Sequence, residues 1–246
     1  MTENRFKRVL LKVGGESMMG KREYGIDPQA ALEVAKQIKD VYTQHVQVAV
    51  VIGGGNIFRG LAGEKLGIER ATADYMGMLA TVMNGLALQD ALEKVGVPTR
   101  MQSALLMPAV CESFIRRKAI RHMEKGRVVI LAAGTGVPYV TTDTGASLHA
   151  LELKCDVLMK ATKVDAIYDK DPAKNKDARR FKTLSCKDAI KMAGVEVMDT
   201  AALAMCSENN MPLMVFELFK EGNLTKAISG EDIGTYVGNE VKTEYA

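Results

Sequence analysis

Three apolar runs in this chain end in glycine, and that repetition limits its possible folds more than any other feature. KRVLLKVGG spans residues 7–15, VAVVIGGGNIFRG residues 48–60 and RVVILAAGTG residues 127–136. Each run is rich in β-branched residues and lacks the polar alternation of a strand with one wet face. Each therefore reads as a strand covered on both sides, the kind found in parallel sheets flanked by helices. The segments between them supply those helices. Asp27 followed by Pro28 reads as a helix start, with aspartate as cap and proline in the first position. Residues 74–95 read as a long apolar helix with Met76, Leu79, Met83 and Leu86 on one stripe, ended by Gly96 and Pro98. TDTGASLHALEL reads as the helix after the third run. DVLMKAT (156–162), PLMVFEL (212–218) and a weaker run near Gly234 complete the strands. Ser185 and Asp188 form a capping box for a short helix that stops at Gly194. The expected fold is a three-layer α/β sandwich with a mainly parallel central sheet.

Composition narrows the setting. The 246 residues are enough for one large domain or two tightly joined lobes. A division near residue 160 would give an acceptor-side lobe of about 1–160 and a donor-side lobe of about 161–246. The charged stretch DKDPAKNKDARR (169–180) is either a hinge between lobes or a solvated surface loop. A net charge of +3, dispersed along the chain, argues against a nucleic-acid surface. No apolar stretch is long enough to span a bilayer, and the first apolar run is too short for a signal peptide. Cys111, Cys155, Cys186 and Cys206 are scattered, without metal-site spacing, which fits a reducing cytoplasm.

One motif misleads. GESMMGK (15–21) matches the G-x-x-x-x-G-K spacing of a P-loop, but Arg22 stands where Ser or Thr must bind magnesium, and the next helix starts only at Asp27-Pro28. The stronger signal is the repeated device of a buried strand running into glycines. In an open parallel sheet, ligands gather beyond the carboxyl ends of strands, where glycine N–H groups accept close phosphates. Charged residues lie beside these ends, each with a plainer alternative. Lys12 sits inside a strand, either for chemistry or as a snorkelling edge residue. Lys160 and Lys163 flank another strand end, and at least one of them reads as surface charge. Asp143 and Asp74 stand at expected helix starts, where each is either a ligand group or an N-cap. Arg59 follows a glycine loop with no helix face to occupy.

KVGGE, VVIGGGNIFRG, DYMGMLATVMNGLALQDAL, GTGVPYVTTD and KATKVDAIYDKDP together resemble the bacterial uridylate kinase family of the amino acid kinase superfamily. The resemblance runs in order over roughly residues 6–238. It implies transfer of the ATP γ-phosphoryl group to UMP without a P-loop. It also implies an ATP site at Lys12, Val13, Gly14, Gly15, Gly55, Arg59, Thr162, Tyr168 and Asp171. The implied UMP site comprises Gly54, Asp74, Thr135, Gly136, Val137, Pro138, Tyr139, Val140, Thr141 and Thr142. Lys12, Arg59, Asp143 and Lys160 fall closest to the transferred group. Members of the family are hexamers activated by GTP and inhibited by UTP. The segment Gly20, Lys21, Arg22, Glu23, Tyr24 and Gly25 matches the one linked to GTP. Two stretches depart from the usual pattern. GTGVPYVTTD replaces GTGNPFFTTD, which bears on base contacts, and KVGGES replaces KLSGEA, which removes a hydroxyl at Gly14.

UMP needs no general base, because near neutrality its phosphate is already largely dianionic. His45, at a helix end, and His122 and His149, in helices, accordingly read as structural. Lys12 and Lys160 would neutralise the moving group, Asp143 orient the lysines, Arg59 hold phosphate and Asp74 accept the ribose hydroxyls. Magnesium would arrive with ATP. Two alternatives stay open: a carboxylate or carbamate kinase on the same fold, and a non-catalytic nucleotide-binding or storage protein.

Overall fold

The computed structural model describes residues 4–59, 67–192 and 198–246. The apolar runs become strands as their composition requires: β1 (Arg8–Val13), β2 (Gln47–Ile52), β5 (Val128–Ala132), β6 (Val157–Thr162) and β8 (Leu213–Glu217). Between and beyond them lie β3 (Thr99–Ser103), β4 (Glu112–Ser113), β7 (Phe181–Ser185), β9 (Thr235–Gly238) and β10 (Glu244–Tyr245). All ten join one sheet in the order β10-β7-β9-β8-β6-β1-β2-β5-β3-β4. Among the strand pairs of the described residues, only β8–β9 and β10–β7 run antiparallel. The weak run near Gly234 is β9. Polar strands β3, β4, β7 and β10 escaped the sequence reading because they lie toward the sheet's two ends and carry no apolar run.

Helices α1 (Pro28–Tyr42) and α2 (Arg70–Lys94) cover one face, joined by α7 (Asn223–Ser229). The opposite face carries α3 (Arg116–Glu124), α4 (Thr142–Glu152), α5 (Cys186–Lys191) and α6 (Thr200–Glu208). Alternate residues of β1 divide between the layers: Val9, Leu11 and Val13 join the first core and Leu10 the second. The fold is thus three-layer α/β. Asp27 caps α1 by accepting the Gln29 N–H at 2.9 Å, with Pro28 in the first turn. Ser185 caps α5 by accepting the Asp188 N–H at 3.1 Å. The expected stop of that helix at Gly194 lies outside the described residues.

One expectation needs correction. Helix α2 begins at Arg70, four residues before Asp74, and its cap is Glu69, whose carboxylate accepts the N–H groups of Ala71 and Thr72. The long stripe of α2 faces outward. Met76, Leu79, Met83 and Leu86 are 38–53% exposed, whereas Met78, Thr81, Gly85, Leu88 and Leu92 are buried on the sheet side. The helix is thus apolar on two sides, one packed on the sheet and one exposed in the single chain. The charged stretch 169–180 is a surface loop pinned at its base, where Arg179 donates N–H to Asp169 Oδ1 at 2.9 Å and Nε to Oδ2 at 3.1 Å.

The glycines that end β1 and β2 do different work. A Cβ on Gly15 would meet Asn56 Oδ1 at 2.5 Å, the Gly55 nitrogen at 2.8 Å and the Gly53 carbonyl at 2.9 Å. On Gly54 it would meet the Gly77 carbonyl at 2.7 Å and the Thr81 nitrogen at 3.0 Å. These glycines let two loops and a helix touch through their backbones. Beside Gly14 a Cβ would meet nothing within 4 Å, and its backbone is extended. Gly15→Ala is therefore expected to lower stability by about 1–3 kcal/mol through overpacking. Gly14→Ala should melt like the wild type. Thermal denaturation of the two variants checks the contrast, and equal losses would contradict it.

Candidate active site

Strands β6, β1, β2 and β5 are consecutive neighbours and all parallel, so their carboxyl ends lie side by side. The loops beyond those ends carry Lys163, Gly14-Gly15, Gly53 to Gly55 and Gly134. Lys12 on β1 is the register partner of Lys160 on β6, so the two ammonium groups share one face of the sheet. That face, two residues on from Leu10, is the one that packs on α4.

Asp143, the second residue of α4, lies between the two lysines. Its Oδ1 is 2.8 Å from Lys12 Nζ and its Oδ2 is 2.9 Å from Lys160 Nζ. All three side chains are largely buried. Burial alone would push the Asp143 carboxyl up, but the two ammonium groups outweigh it and hold it below the ordinary aspartate value. Both plainer alternatives fail here. β1 lies inside the sheet, so Lys12 is no edge residue. The cap of α4 is Thr141, whose Oγ1 accepts the Thr144 N–H at 3.1 Å.

Arg59 donates Nε to the Gly55 carbonyl at 3.3 Å, and its guanidinium pairs with Glu16. Lys163 lies 3.5 Å from the other Glu16 oxygen. Of the two lysines near the end of β6, Lys160 is thus the inner one and Lys163 the surface one. Sequence reasoning missed Glu16, which gathers two exposed cations at the mouth of the site. Its place straight after the β1 glycines was the available signal.

Asp74 lies one turn inside α2, so it is not a cap. Both carboxylate oxygens are 2.9 Å from Arg70 Nε, and Oδ2 accepts the Tyr139 N–H at 2.8 Å. Arg70 also lies 5.5 Å from the centre of the Tyr139 ring. The i,i+4 spacing of Arg70 and Asp74 was visible, but the late helix start hid it. Between α2 and the loop after β5 opens a cavity of about 510 Å³. Expected residues on its wall are Gly54, Gly55, Arg59, Asp74, Thr135, Val140, Thr141 and Thr142, with Arg70, Gly77 and Thr81 in addition. Gly136, Val137, Pro138 and Tyr139 lie on the same loop but outside the wall, and Val137 and Tyr139 are exposed.

Thr162 ends β6, and its hydroxyl donates to the Val164 carbonyl. Tyr168 donates its hydroxyl to Asp165 at 2.9 Å, while Asp171 accepts the Ala173 N–H at 2.9 Å and pairs with Lys174. These three follow Lys160 along the chain and stand apart from the cavity wall. Gly20 to Gly25 form an exposed turn. Its Gly25 N–H donates to the Asn56 carbonyl at 2.7 Å, and Asn56 Nδ2 donates back to the Gly25 carbonyl at 2.7 Å.

Comparison with known proteins shows the family and the fold. The model of the amino acid kinase family matches residues 7–217. A curated uridylate kinase of Paramagnetospirillum magneticum is 54% identical over 239 residues, 97% of this chain and 99% of that one. The crystal structure of UMP kinase from Bacillus anthracis superposes with a TM-score of 0.94 at 32% identity, covering 98% of this chain and 99% of its own. UMP kinase from Ureaplasma parvum gives 0.89 at 34% identity, covering 95% and 99%.

Removing the carboxylate charge tests the lysine–aspartate arrangement. Asp143→Asn leaves two neighbouring, partly buried ammonium groups without a counter-ion, and should cost about 3 kcal/mol or more. Because the folded-state carboxyl is held below its unfolded value, the wild type's advantage is complete above about pH 4 and shrinks as pH falls further. Urea unfolding of both proteins from pH 3 to pH 8 checks this. A stability difference that persists undiminished at pH 3 would contradict it.

Proposed function

The chain belongs to the amino acid kinase family, and we propose that it transfers the γ-phosphoryl group of MgATP to UMP, giving UDP and ADP. The observation that carries this reading is the Lys12–Asp143–Lys160 arrangement, in which Asp143 directly follows Thr141 and Thr142 of the cavity wall. Phosphoryl transfer requires in-line positioning and neutralisation of oxygen charge more than covalent help. Two fixed ammonium groups on adjacent strands meet the second need. Asp143 fixes both in place, so they require no reorganisation when charge develops. Both oxygens of Asp143 are taken by the lysines, so magnesium enters with the triphosphate as part of the substrate.

The donor lies along Lys12 to Gly15, Gly55, Arg59, Thr162, Tyr168 and Asp171, with the glycine N–H groups on its phosphates. UMP fills the cavity between Asp74 and the loop from Thr135 to Thr142. Asp74 accepts its ribose hydroxyls in exchange for the Tyr139 N–H and Arg70. Gly54 borders the cavity while the side where a Cβ would stand is filled by α2.

The assembly is a homohexamer of this chain in the same reading. The exposed stripe Met76, Leu79, Met83 and Leu86 on α2 supports self-association, since a continuous apolar helix face of this kind favours burial against another chain. The reading extends to GTP activation through residues 20–25, UTP inhibition, and the two lobes meeting near residue 160. The paired hydrogen bonds between Gly25 and Asn56 support a link from that turn to the phosphate loop. Four unbridged cysteines fit a cytoplasmic location.

Two measurements test these statements. ADP formation from MgATP is followed with UMP, CMP, acetylglutamate and carbamate as acceptors, in the wild type and in Lys12→Met. Activity is expected with UMP above all, and the variant should lose roughly a hundredfold or more in kcat. UMP binding by calorimetry should persist in the variant. No activity with UMP, or a near-normal kcat in Lys12→Met, would contradict the mechanism. Leu79→Glu should shift light-scattering mass from hexamer toward smaller species, and an unshifted hexamer would remove the α2 stripe from the interface.

A further inference from the structure

We propose that His149, together with Thr81, is a positioning residue that sets the acceptor loop by gripping a strained turn at its root. The inference rests on reading the cavity as the UMP site. The turn is Ala133–Gly134, directly after β5. Both residues are left-handed, at φ 63° and 52°, and alanine adopts that conformation only when its surroundings enforce it. The enforcing contacts come from opposite layers. From α2, Thr81 Oγ1 accepts the Ala133 N–H at 2.7 Å and donates its own proton to the Met78 carbonyl at 2.7 Å. From α4, His149 Nε2 donates to the Gly134 carbonyl at 3.1 Å. Inside the turn, the Gly136 N–H donates to the Ala133 carbonyl at 2.9 Å.

The imidazole is itself held. It is buried, its Nδ1 lies 2.9 Å from Glu152 Oε2, and the Phe114 ring meets it edge-on at 4.6 Å. A carboxylate on one nitrogen and a ring against the side fix the direction of the other nitrogen, which is how a second contact orients a working histidine. Ala133, Gly134 and Thr135 all border the cavity. A shift of the Gly134 carbonyl therefore moves the wall that receives UMP, while Lys12, Lys160 and Asp143 keep their own contacts.

His149→Phe preserves ring volume and the packing on Phe114 but removes the donor. His149→Gln restores an N–H near the position of Nε2. Thr81→Val removes only the hydroxyl from the other side of the turn. Steady-state kinetics with UMP and ATP varied separately are the readout, with folding followed by thermal denaturation. KM for UMP is expected to rise about tenfold in His149→Phe, the worth of one such hydrogen bond. kcat and the KM for ATP should stay close to wild type, His149→Gln should recover most of the loss, and Thr81→Val should raise the KM for UMP in the same way. An unchanged KM for UMP in His149→Phe overturns the proposal, as does a glutamine variant no better than phenylalanine, or an equal rise for ATP. If His149→Phe fails to fold, Thr81→Val decides: an unchanged KM for UMP overturns the proposal. A wild type that does not phosphorylate UMP overturns the acceptor reading itself, and is told apart because it needs no variant.

Discussion

One carboxylate between two lysines organises the site. Lys12 and Lys160 are neighbours in register on adjacent strands, and two ammonium groups side by side under a helix layer repel strongly where water is scarce. Asp143 makes that placement possible, so the position of α4 matters as much as the strands. The start of α4 is fastened twice. Thr141 caps it, and Asp199 receives the hydroxyls of Thr141 and Thr144 while capping α6 through the Ala202 N–H. The charge arrangement is thus joined to the helix layer on that face of the sheet.

The glycine loops show how packing and chemistry share a strand end. Gly15 and Gly54 are glycine because another backbone occupies the space of a side chain. Gly14 faces open space, which suits a ligand. The buried amides of Asn56 and Asn84 knit these pieces together. Asn84 Nδ2 donates to the Gly53 carbonyl and to Asn56 Oδ1, both at 2.7 Å, and every amide proton of the pair finds an acceptor. A fully satisfied buried polar network of this kind fixes one arrangement of the loops.

The sequence disclosed the layered fold because its central strands are apolar on both faces, a pattern with few alternatives. It disclosed Lys12 as an anomaly, since a lysine inside a buried strand has to be accounted for, while Lys160 and Asp143 each kept a plainer alternative until the fold brought them to Lys12. Helix starts were less visible. Glu69 is an uncommon cap, so the sequence alone suggests a start at Asp74 and leaves Asp74 open between cap and ligand. Thr141 and Asp143 are two residues apart, and only the fold shows which one caps. The stripe of Met76, Leu79, Met83 and Leu86 was legible, but periodicity records an apolar surface without saying what covers it. Arg70, Thr81 and Glu16 went unnoticed for a common reason: each matters through a contact distant in sequence or hidden by a misplaced boundary.

The central claim is that Lys12 and Lys160 act as one unit on the moving phosphoryl group. A double-mutant cycle in single-turnover transfer from MgATP to UMP tests it, using Lys12→Met, Lys160→Met and the double variant on protein shown to be folded. If the lysines act together through Asp143, each single change removes most of the benefit, and the double variant loses far less than the product of the two. Losses that multiply would show two independent charges and contradict the account.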